Sequence, residues 1–395
     1  MRLLFMIPYC QTSVYKCVFP DISKRNNQQF HKYFSLLING LQSNGVVITV
    51  GCQFDINSDI CPLNVVNIAD NYEHGIQYHY FKTYNKKILG RIVKCFQSWK
   101  YCQAFCKQNP DAIVICDPNK VSSTFGAFIG TKLGRGKLVH VLSDLPSINT
   151  GSLNKDRTFR QRIADWIISK ADGYYFFTEA MNELVNKKNK PYVVIECLAD
   201  ENLEKETCSL YEKYPHRVMM YTGGIVAHYG LEQLVKAFQI AAVPNTELWF
   251  YGGGTFADGL QKLCCGTTNI KFLGVLPNEQ IVQEQQRATV LVNPRLTKYE
   301  YTKYSFPSKN MEYMSSGTPT LTTRLPGMPE EYNDYVFLFN GETPEEMASV
   351  IRNVYQLSDY ELSAFGLRAK KWCIENKGSV FQTERFIAEV INKIQ

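Results

Sequence analysis

The part of the chain richest in chemistry runs Tyr304-Ser305-Phe306-Pro307-Ser308-Lys309-Asn310-Met311-Glu312-Tyr313-Met314-Ser315-Ser316-Gly317-Thr318-Pro319. Pro307 and Ser308 are residue types that open helices, one through its fixed φ and the other through a capping hydroxyl. Backbone N–H groups around Ser308 to Asn310 would then sit at the positive end of a helix, an arrangement that holds phosphate. Glu312 falls one turn deeper on the same face as Ser308. There a carboxylate can accept two hydrogen bonds from the hydroxyls of a ribose. Gly317 ends the helix. The apolar neighbours Met311 and Met314 argue against a merely solvated face for Glu312.

Three more loops carry residues of the same use. In Tyr221-Thr222-Gly223-Gly224-Ile225, paired glycines follow an apolar run and precede Gly230-Leu231-Glu232. Such a pair lets the backbone approach a phosphate at a helix start, and it also makes a plain tight turn. Gly252-Gly253-Gly254 leaves room for a flat group such as a base or ribose, or is again a turn. Val292-Asn293-Pro294-Arg295 ends an apolar run with a cation, which in an open α/β sheet would face the ligand side.

The elements that must position these loops alternate strand, loop and helix twice over, a pattern for parallel sheets wrapped by helices. Strands are expected at Leu3 to Ile7, Val46 to Val50, Ala112 to Cys116, Leu138 to Leu142 and Tyr174 to Phe177. A second series follows at Arg217 to Tyr221, Leu248 to Tyr251, Ile270 to Leu273, Val290 to Val292, Pro319 to Thr322 and Val336 to Phe339. Tyr9 to Asn27 reads as a long loop, and Gln28 to Gln42 as an amphipathic helix stopped at Asn44-Gly45. The charge-rich stretch 198–215 is the best linker. The division expected is residues 1–200 and 216–377. A final helix at about 378–395, with Phe386, Ile387, Val390, Ile391 and Ile394 on one side, packs back on the first domain.

Composition narrows the class. With 395 residues, 45% hydrophobic and 20% charged, the chain is an ordinary globular protein of two or three domains with no run of apolar residues long enough to span a bilayer. The first residues, cut by Pro8, read as a buried strand rather than a signal peptide. The net charge of +6 comes from scattered Lys and Arg, so no nucleic-acid stripe is expected. Thirteen cysteines, an odd count without a Cys-x-x-Cys pair, read as free thiols of a reducing cytoplasm and give no structural zinc. Cys102, Cys106, Cys264 and Cys265 read as small helical core residues. No Asp-x-Asp metal–nucleotide motif, P-loop or Gly-x-Gly-x-x-Gly after the first strand is present.

The run Phe306 to Pro319, with Leu325-Pro326-Gly327-Met328-Pro329-Glu330-Glu331-Tyr332 after it, resembles the signature of retaining glycosyltransferase family 4, of the bacterial capsular and exopolysaccharide type. In the first half the resemblance rests on Val141 to Pro146 and Phe177 to Met181. The resemblance implies a GT-B fold, two Rossmann-like domains with parallel sheets facing across a cleft. It implies metal-independent transfer, with retained configuration, of a hexose-type sugar from a nucleotide diphosphate, taken to be UDP, to a glycan or lipid-linked glycan. It also implies a cytoplasmic protein in peripheral contact with the inner membrane face, and Glu312 on the ribose.

The sequence departs from the family pattern at three places. Tyr304 stands where a first Glu would touch the donor sugar, Gly224 and Tyr229 stand where an Arg and a Lys would neutralise the diphosphate, and Ser143-Asp144 stands where relatives carry a His. Lys309 and Arg295 are therefore expected to supply the positive charge. The donor would be cradled by Gly223, Gly224, Gly252, Gly253, Tyr304, Ser305, Phe306, Pro307, Ser308, Asn310 and Glu312. Asp144 is assigned to the donor sugar or the acceptor hydroxyl, or is a turn residue before Pro146. No metal or cofactor is expected. The acceptor is expected near the loop Tyr9 to Asn27, whose Tyr15, Phe19, Lys24 and Arg25 suit a sugar and a lipid diphosphate. The basic aromatic stretch Tyr84 to Tyr101 reads as an interfacial helix or as an ordinary amphipathic helix on the sheet. The rival readings are a nucleotide-sugar 2-epimerase and a non-catalytic nucleotide-sugar-binding subunit.

Overall fold

The computed structural model describes residues 1–20, 28–57, 59–145, 158–201 and 212–395. Lys24, Arg25, Pro146 and most of the linker stretch lie outside the described residues. The chain divides into two units, Met1–Leu198 with Ser379–Gln395, and Ala199–Gly378.

The first unit is built on β1 (Arg2–Met6), β2 (Val47–Cys52), β3 (Val65–Val66), β4 (Asn71–Glu73), β5 (Ile76–Tyr80), β6 (Thr83–Tyr84), β7 (Ile113–Cys116), β8 (Lys137–Leu142), β9 (Gly173–Phe176) and β10 (Tyr192–Val194). Its main sheet has the order β10-β9-β8-β7-β1-β2-β5-β4. All its pairs are parallel except the edge hairpin β4–β5, and β3 pairs with β6 in a separate antiparallel ribbon. The purely parallel expectation thus fails at one edge. There β5 alternates buried with exposed or half-buried residues and β4 has no buried residue, the pattern of an antiparallel edge with one face to solvent. The central strands β1 and β7 are apolar runs buried on both faces.

The helices of this unit are α1 (Thr12–Val18), α2 (Gln28–Ser43), α3 (Lys87–Gln108), α4 (Val121–Leu133), α5 (Phe159–Ile168) and α6 (Glu179–Val185). The expected long loop after β1 therefore contains a helix. Its seven residues have no side-chain cap and only Val18 buried, too weak a periodicity to read. Helices α3 and α4 approach unusually closely. A Cβ on Gly126 would lie 2.0 Å from the Cys95 carbonyl oxygen, and one on Gly130 2.2 Å from that of Trp99. Cys102 and Cys106 of α3 are buried there, against Gly130 and Gly134, while Gly90 is buried against the Tyr84 carbonyl of β6.

The second unit carries β11 (Arg217–Thr222), β12 (Thr246–Tyr251), β13 (Ile270–Phe272), β14 (Val290–Asn293), β15 (Thr320–Thr322) and β16 (Phe337–Leu338), all parallel, in the order β13-β12-β11-β14-β15-β16. Its helices are α7 (Leu231–Ala241), α8 (Ala257–Cys264), α9 (Asn278–Arg287), α10 (Ser308–Ser316), α11 (Pro344–Gln356) and α12 (Asp359–Lys377). Thr343 and Ser358 start α11 and α12 with reciprocal capping boxes to Glu346 and Glu361. Cys264 is buried in α8 as expected, whereas Cys265 caps the helix and is exposed, because the chain leaves the helix there.

The last helical stretch begins with α13 (Ser379–Phe386) and belongs to the first unit. It lies on α2, where Asn44 Nδ2 donates to the Val380 carbonyl at 2.9 Å and to Thr383 Oγ1 at 3.0 Å. Phe386, Val390, Ile391 and Ile394 are buried. Residues Ile387–Ile391 form a π-helical turn that keeps them facing inward.

Candidate functional site

Each sheet changes direction of growth beside its first strand, and in an open α/β sheet the crevice at that reversal takes the ligand. In the second unit the reversal lies between β11 and β14, so the loops at Gly223-Gly224 and Pro294-Arg295 flank it. The helix α10 points its first turn at the same place. Lys309, nearly fully buried, reaches from it to donate through Nζ to the Thr222 carbonyl at 2.5 Å. A Cβ on Gly223 would fall 1.6 Å from that Nζ, and Gly223 itself has φ +146°. Glycine is required here because the ammonium occupies the space of a side chain. The structure thus brings Lys309 and the Gly223 loop into direct contact.

Burial pushes the Lys309 ammonium down to about 8; Glu312, one turn on, opposes the shift and Arg295 adds to it. Arg295 is half-buried, with its guanidinium 4.6 Å over the ring of Tyr229. Around it, His228 packs edge-on against Tyr229, Tyr299 and Tyr301 at 4.8, 5.5 and 5.6 Å. Burial, together with the Arg295 charge, lowers the His228 pKa. Arg295 Nε and the Tyr301 hydroxyl are buried with no protein partner, a pair of polar groups open to a ligand or water.

Glu312 is held by a residue that sequence reasoning missed. Gln285 of α9, fully buried, donates through Nε2 to Glu312 Oε1 at 2.6 Å and to Thr222 Oγ1 at 2.8 Å. Thr318 Oγ1 donates to the Gln285 carbonyl at 2.8 Å, and the Tyr313 hydroxyl donates to the Thr222 carbonyl at 3.0 Å while accepting from the Thr222 amide at 2.9 Å. One carboxylate oxygen is so oriented by a fixed amide. The only sequence signal for Gln285 was its position four residues after Ile281 and three before Ala288, on the apolar side of α9.

Other expected donor contacts need correction. The Asn310 side chain is buried and ties α10 to the sheet, accepting from Asn293 Nδ2 at 2.8 Å and donating to Thr322 Oγ1 at 3.1 Å. The amides of Ser308 and Asn310 donate to the carbonyls of Phe306 and Pro307 at 2.9 and 2.8 Å, so those two N–H groups are spent within the turn. Phe306 and Pro307 are buried, Phe306 with its ring 5.1 Å from that of Tyr332, and form the wall from which α10 starts. Ser305, Ser308 and Tyr304 are half-buried; the Tyr304 amide donates to Tyr301 at 3.0 Å.

The glycine triple after β12 does not open space. A Cβ on Gly252 would lie 1.7 Å from the Gly223 oxygen and one on Gly254 2.3 Å from the Ile225 oxygen. Amides of Gly223 and Ile225 donate to Tyr251 and Gly253 at 2.8 and 3.0 Å. Gly252 and Gly254 thus serve the close approach of two backbones, while Gly253 faces Val275. Gly224 is different: a Cβ there meets only Tyr229 and Val226 side chains at 3.5 and 3.8 Å, ordinary contact.

Asp144 lies in the first unit, exposed at the end of β8, where its carbonyl accepts from Asn119 Nδ2 at 3.3 Å. It lines a cavity with Phe30, Asp117, Lys120, Ser143 and Arg160. Lys120 pairs with Asp55 at 2.6 Å, and burial raises the pKa of Asp117. In the expected acceptor loop, Tyr15 and Phe19 fall on or just after α1, their rings 5.1 Å apart. Among the described residues no three His, Cys, Asp or Glu side chains converge as a metal-ligand set.

Residues 216–356 match the family profile described as Glycosyl transferases group 1. A search of curated proteins by sequence found no match. Among solved structures, sucrose-phosphate synthase from Thermosynechococcus elongatus aligns at 15% identity and TM-score 0.66 over 98% of each chain. HepE from Anabaena, solved in complex with UDP, aligns at 14% and 0.66 over 98% of this chain and 99% of its own. A glycosyltransferase from Rickettsia africae aligns at 11% and 0.69 over 100% and 98%. The chain has the GT-B fold of two Rossmann-like domains, and its residues 216–356 carry the glycosyl transferases group 1 segment.

Proposed function

We propose that the chain is a glycosyltransferase that moves a sugar from a UDP-sugar to a glycan or lipid-linked glycan, with retained anomeric configuration and without a metal ion. The observation that carries this reading is the convergence on the Gly223 loop of a buried cation, Lys309, and a carboxylate, Glu312, fixed by Gln285. A nucleoside diphosphate offers the matching groups, with phosphate oxygens for Lys309 and Arg295 and ribose hydroxyls for Glu312. The UDP assignment draws support from HepE, solved with UDP, with UDP and glucose, and with UDP-glucose.

In the reaction the bond from the sugar's anomeric carbon to the diphosphate breaks as the bond to the acceptor oxygen forms on the same face. The acceptor proton passes to the leaving diphosphate. Negative charge grows on that leaving group, and Lys309 and Arg295 stabilise it where it develops. Asp144, in the cavity of the first unit, is assigned to the acceptor hydroxyl or the donor sugar. A cytoplasmic protein in peripheral contact with the inner membrane face, contributing to cell-surface polysaccharide, completes the proposal.

Calorimetric titration of UDP, GDP, ADP and CMP into wild type and Glu312→Ala tests the donor site. Binding of UDP that is lost in the variant is expected. Absence of binding to any of the four would overturn the assignment. Product release with donor and glycan acceptor, analysed for configuration by NMR, tests transfer and separates it from epimerisation of donor alone.

A further inference from the structure

Helix α3 carries more apolar surface than the fold uses. Its inner side is already sealed against α4 through Gly126 and Gly130. On the outer side Ile88, Leu89, Ile92 and Phe96 are 74, 50, 62 and 53% exposed. They recur at one-turn spacing and form a continuous stripe over the first half of the helix. The ribbon β3–β6 packs beside the start of α3: Val65 pairs with Tyr84, whose carbonyl oxygen lies against Gly90 of α3, and Leu63 and Val65 are exposed too. Isolated exposed apolar residues need no explanation, whereas a contiguous set does.

The charge around the stripe is of one sign. Between Glu73 and Asp111 the chain has no acidic residue and seven basic ones, Lys82, Lys86, Lys87, Arg91, Lys94, Lys100 and Lys107. On the N-terminal side the carboxylates are engaged, Glu73 by Gln11 and His74, Asp70 by His79, and Asp55 by Lys94 and Lys120, and Asp111 lies beyond the far end of α3. Lys82, Lys86, Lys87, Arg91 and Lys100 are exposed along the borders of the apolar residues. The Lys82 and Lys100 ammonium groups lie over the rings of Tyr84 and Trp99 at 5.5 and 5.0 Å, so cations and aromatic rings share this surface. No described helix is long and apolar enough to cross a membrane.

We infer that the outer face of α3, with the ribbon β3–β6, is a docking surface for an anionic lipid bilayer. Apolar side chains insert at the level of the headgroups while the cations meet lipid phosphates, as an amphipathic helix does at an interface. Single-sign charge without acidic residues favours a lipid surface over a protein partner, which would usually present interspersed charges of both signs. The inference rests on the reading that the acceptor is lipid-linked, since it gives the first unit a reason to sit at the membrane.

Co-sedimentation with vesicles of equal parts phosphatidylglycerol and phosphatidylcholine, against pure phosphatidylcholine, tests it. Wild type should bind the anionic vesicles, release with salt and leave the neutral ones unbound. The double variant Ile92→Asp, Phe96→Asp should lose binding at least about tenfold. The triple variant Lys86→Gln, Lys87→Gln, Arg91→Gln should weaken it by about fivefold per charge removed. All five positions are exposed, and unchanged far-UV circular dichroism and UDP titration check that both variants fold. Failure of wild type to bind, or wild-type binding by both variants, would overturn the inference, as would self-association abolished by the double variant. UDP binding without vesicle binding refutes the docking surface alone, and vesicle binding without UDP binding refutes the donor site alone.

Discussion

Lys309 is where the donor reading is most exposed to test. Its ammonium is charged below about 8 and neutral above, because burial has drawn its pKa down from 10.5. A diphosphate binds the charged form. UDP affinity should therefore hold steady near neutral pH and fall as pH rises through about 8, approaching tenfold per pH unit beyond it. Titrations kept above about pH 7 avoid the ligand's own terminal ionisation near 6. Lys309→Met removes a charge-assisted hydrogen bond worth about 1.5–3 kcal/mol, so UDP should bind roughly 10- to 150-fold more weakly, and the fall above pH 8 should disappear. Stability should move the other way. Between about 8 and 10.5 the unfolded chain holds a proton that the folded chain has lost, so unfolding free energy rises with pH across that window. Below it, keeping the buried charge costs roughly 3 kcal/mol. Lys309→Met is thus expected to unfold no earlier than wild type at pH 7 while binding UDP poorly. A variant that binds UDP as tightly as wild type, or keeps the wild-type pH profile, would refute the reasoning.

Gln285→Leu should weaken UDP binding by about tenfold through loss of its charge-assisted bond to Glu312. The double variant with Glu312→Ala should be no worse than Glu312→Ala alone, as a double-mutant cycle by calorimetry would read. Gly252→Ala places a methyl group 1.7 Å from the Gly223 oxygen at φ +139° and should destabilise the chain by ~2–4 kcal/mol in urea denaturation. Gly224→Ala, with its nearest neighbours at 3.5 Å, should leave stability within about 0.5 kcal/mol of wild type in the same assay.

The alternation of apolar runs with helical periodicity was enough to place the central strands and the helix from Ser308 to Gly317, because those signals are local. Buried parallel strands are short apolar runs, and a helix stopped by a left-handed glycine shows its end in the chain itself. The strands β3, β4, β5, β6 and β10 escaped: β3, β4, β6 and β10 have two or three residues each, too few to show a period, and β3 draws its pairing from β6, 17 residues on. Within the site, residue types alone indicated that Lys309, Glu312 and Gly223 belonged to one place. They did not indicate that Asn310 would turn into the sheet, that Gly252 and Gly254 would be filled by backbone, or that Gln285 would orient Glu312. Those outcomes depend on which loop the sheet order brings against which, and that order is decided by packing across residues far apart in sequence. The same holds for α3. Its pattern of charge and apolar residues is in the sequence, but only the close approach of Gly126 and Gly130 decided which of its faces was left for another partner.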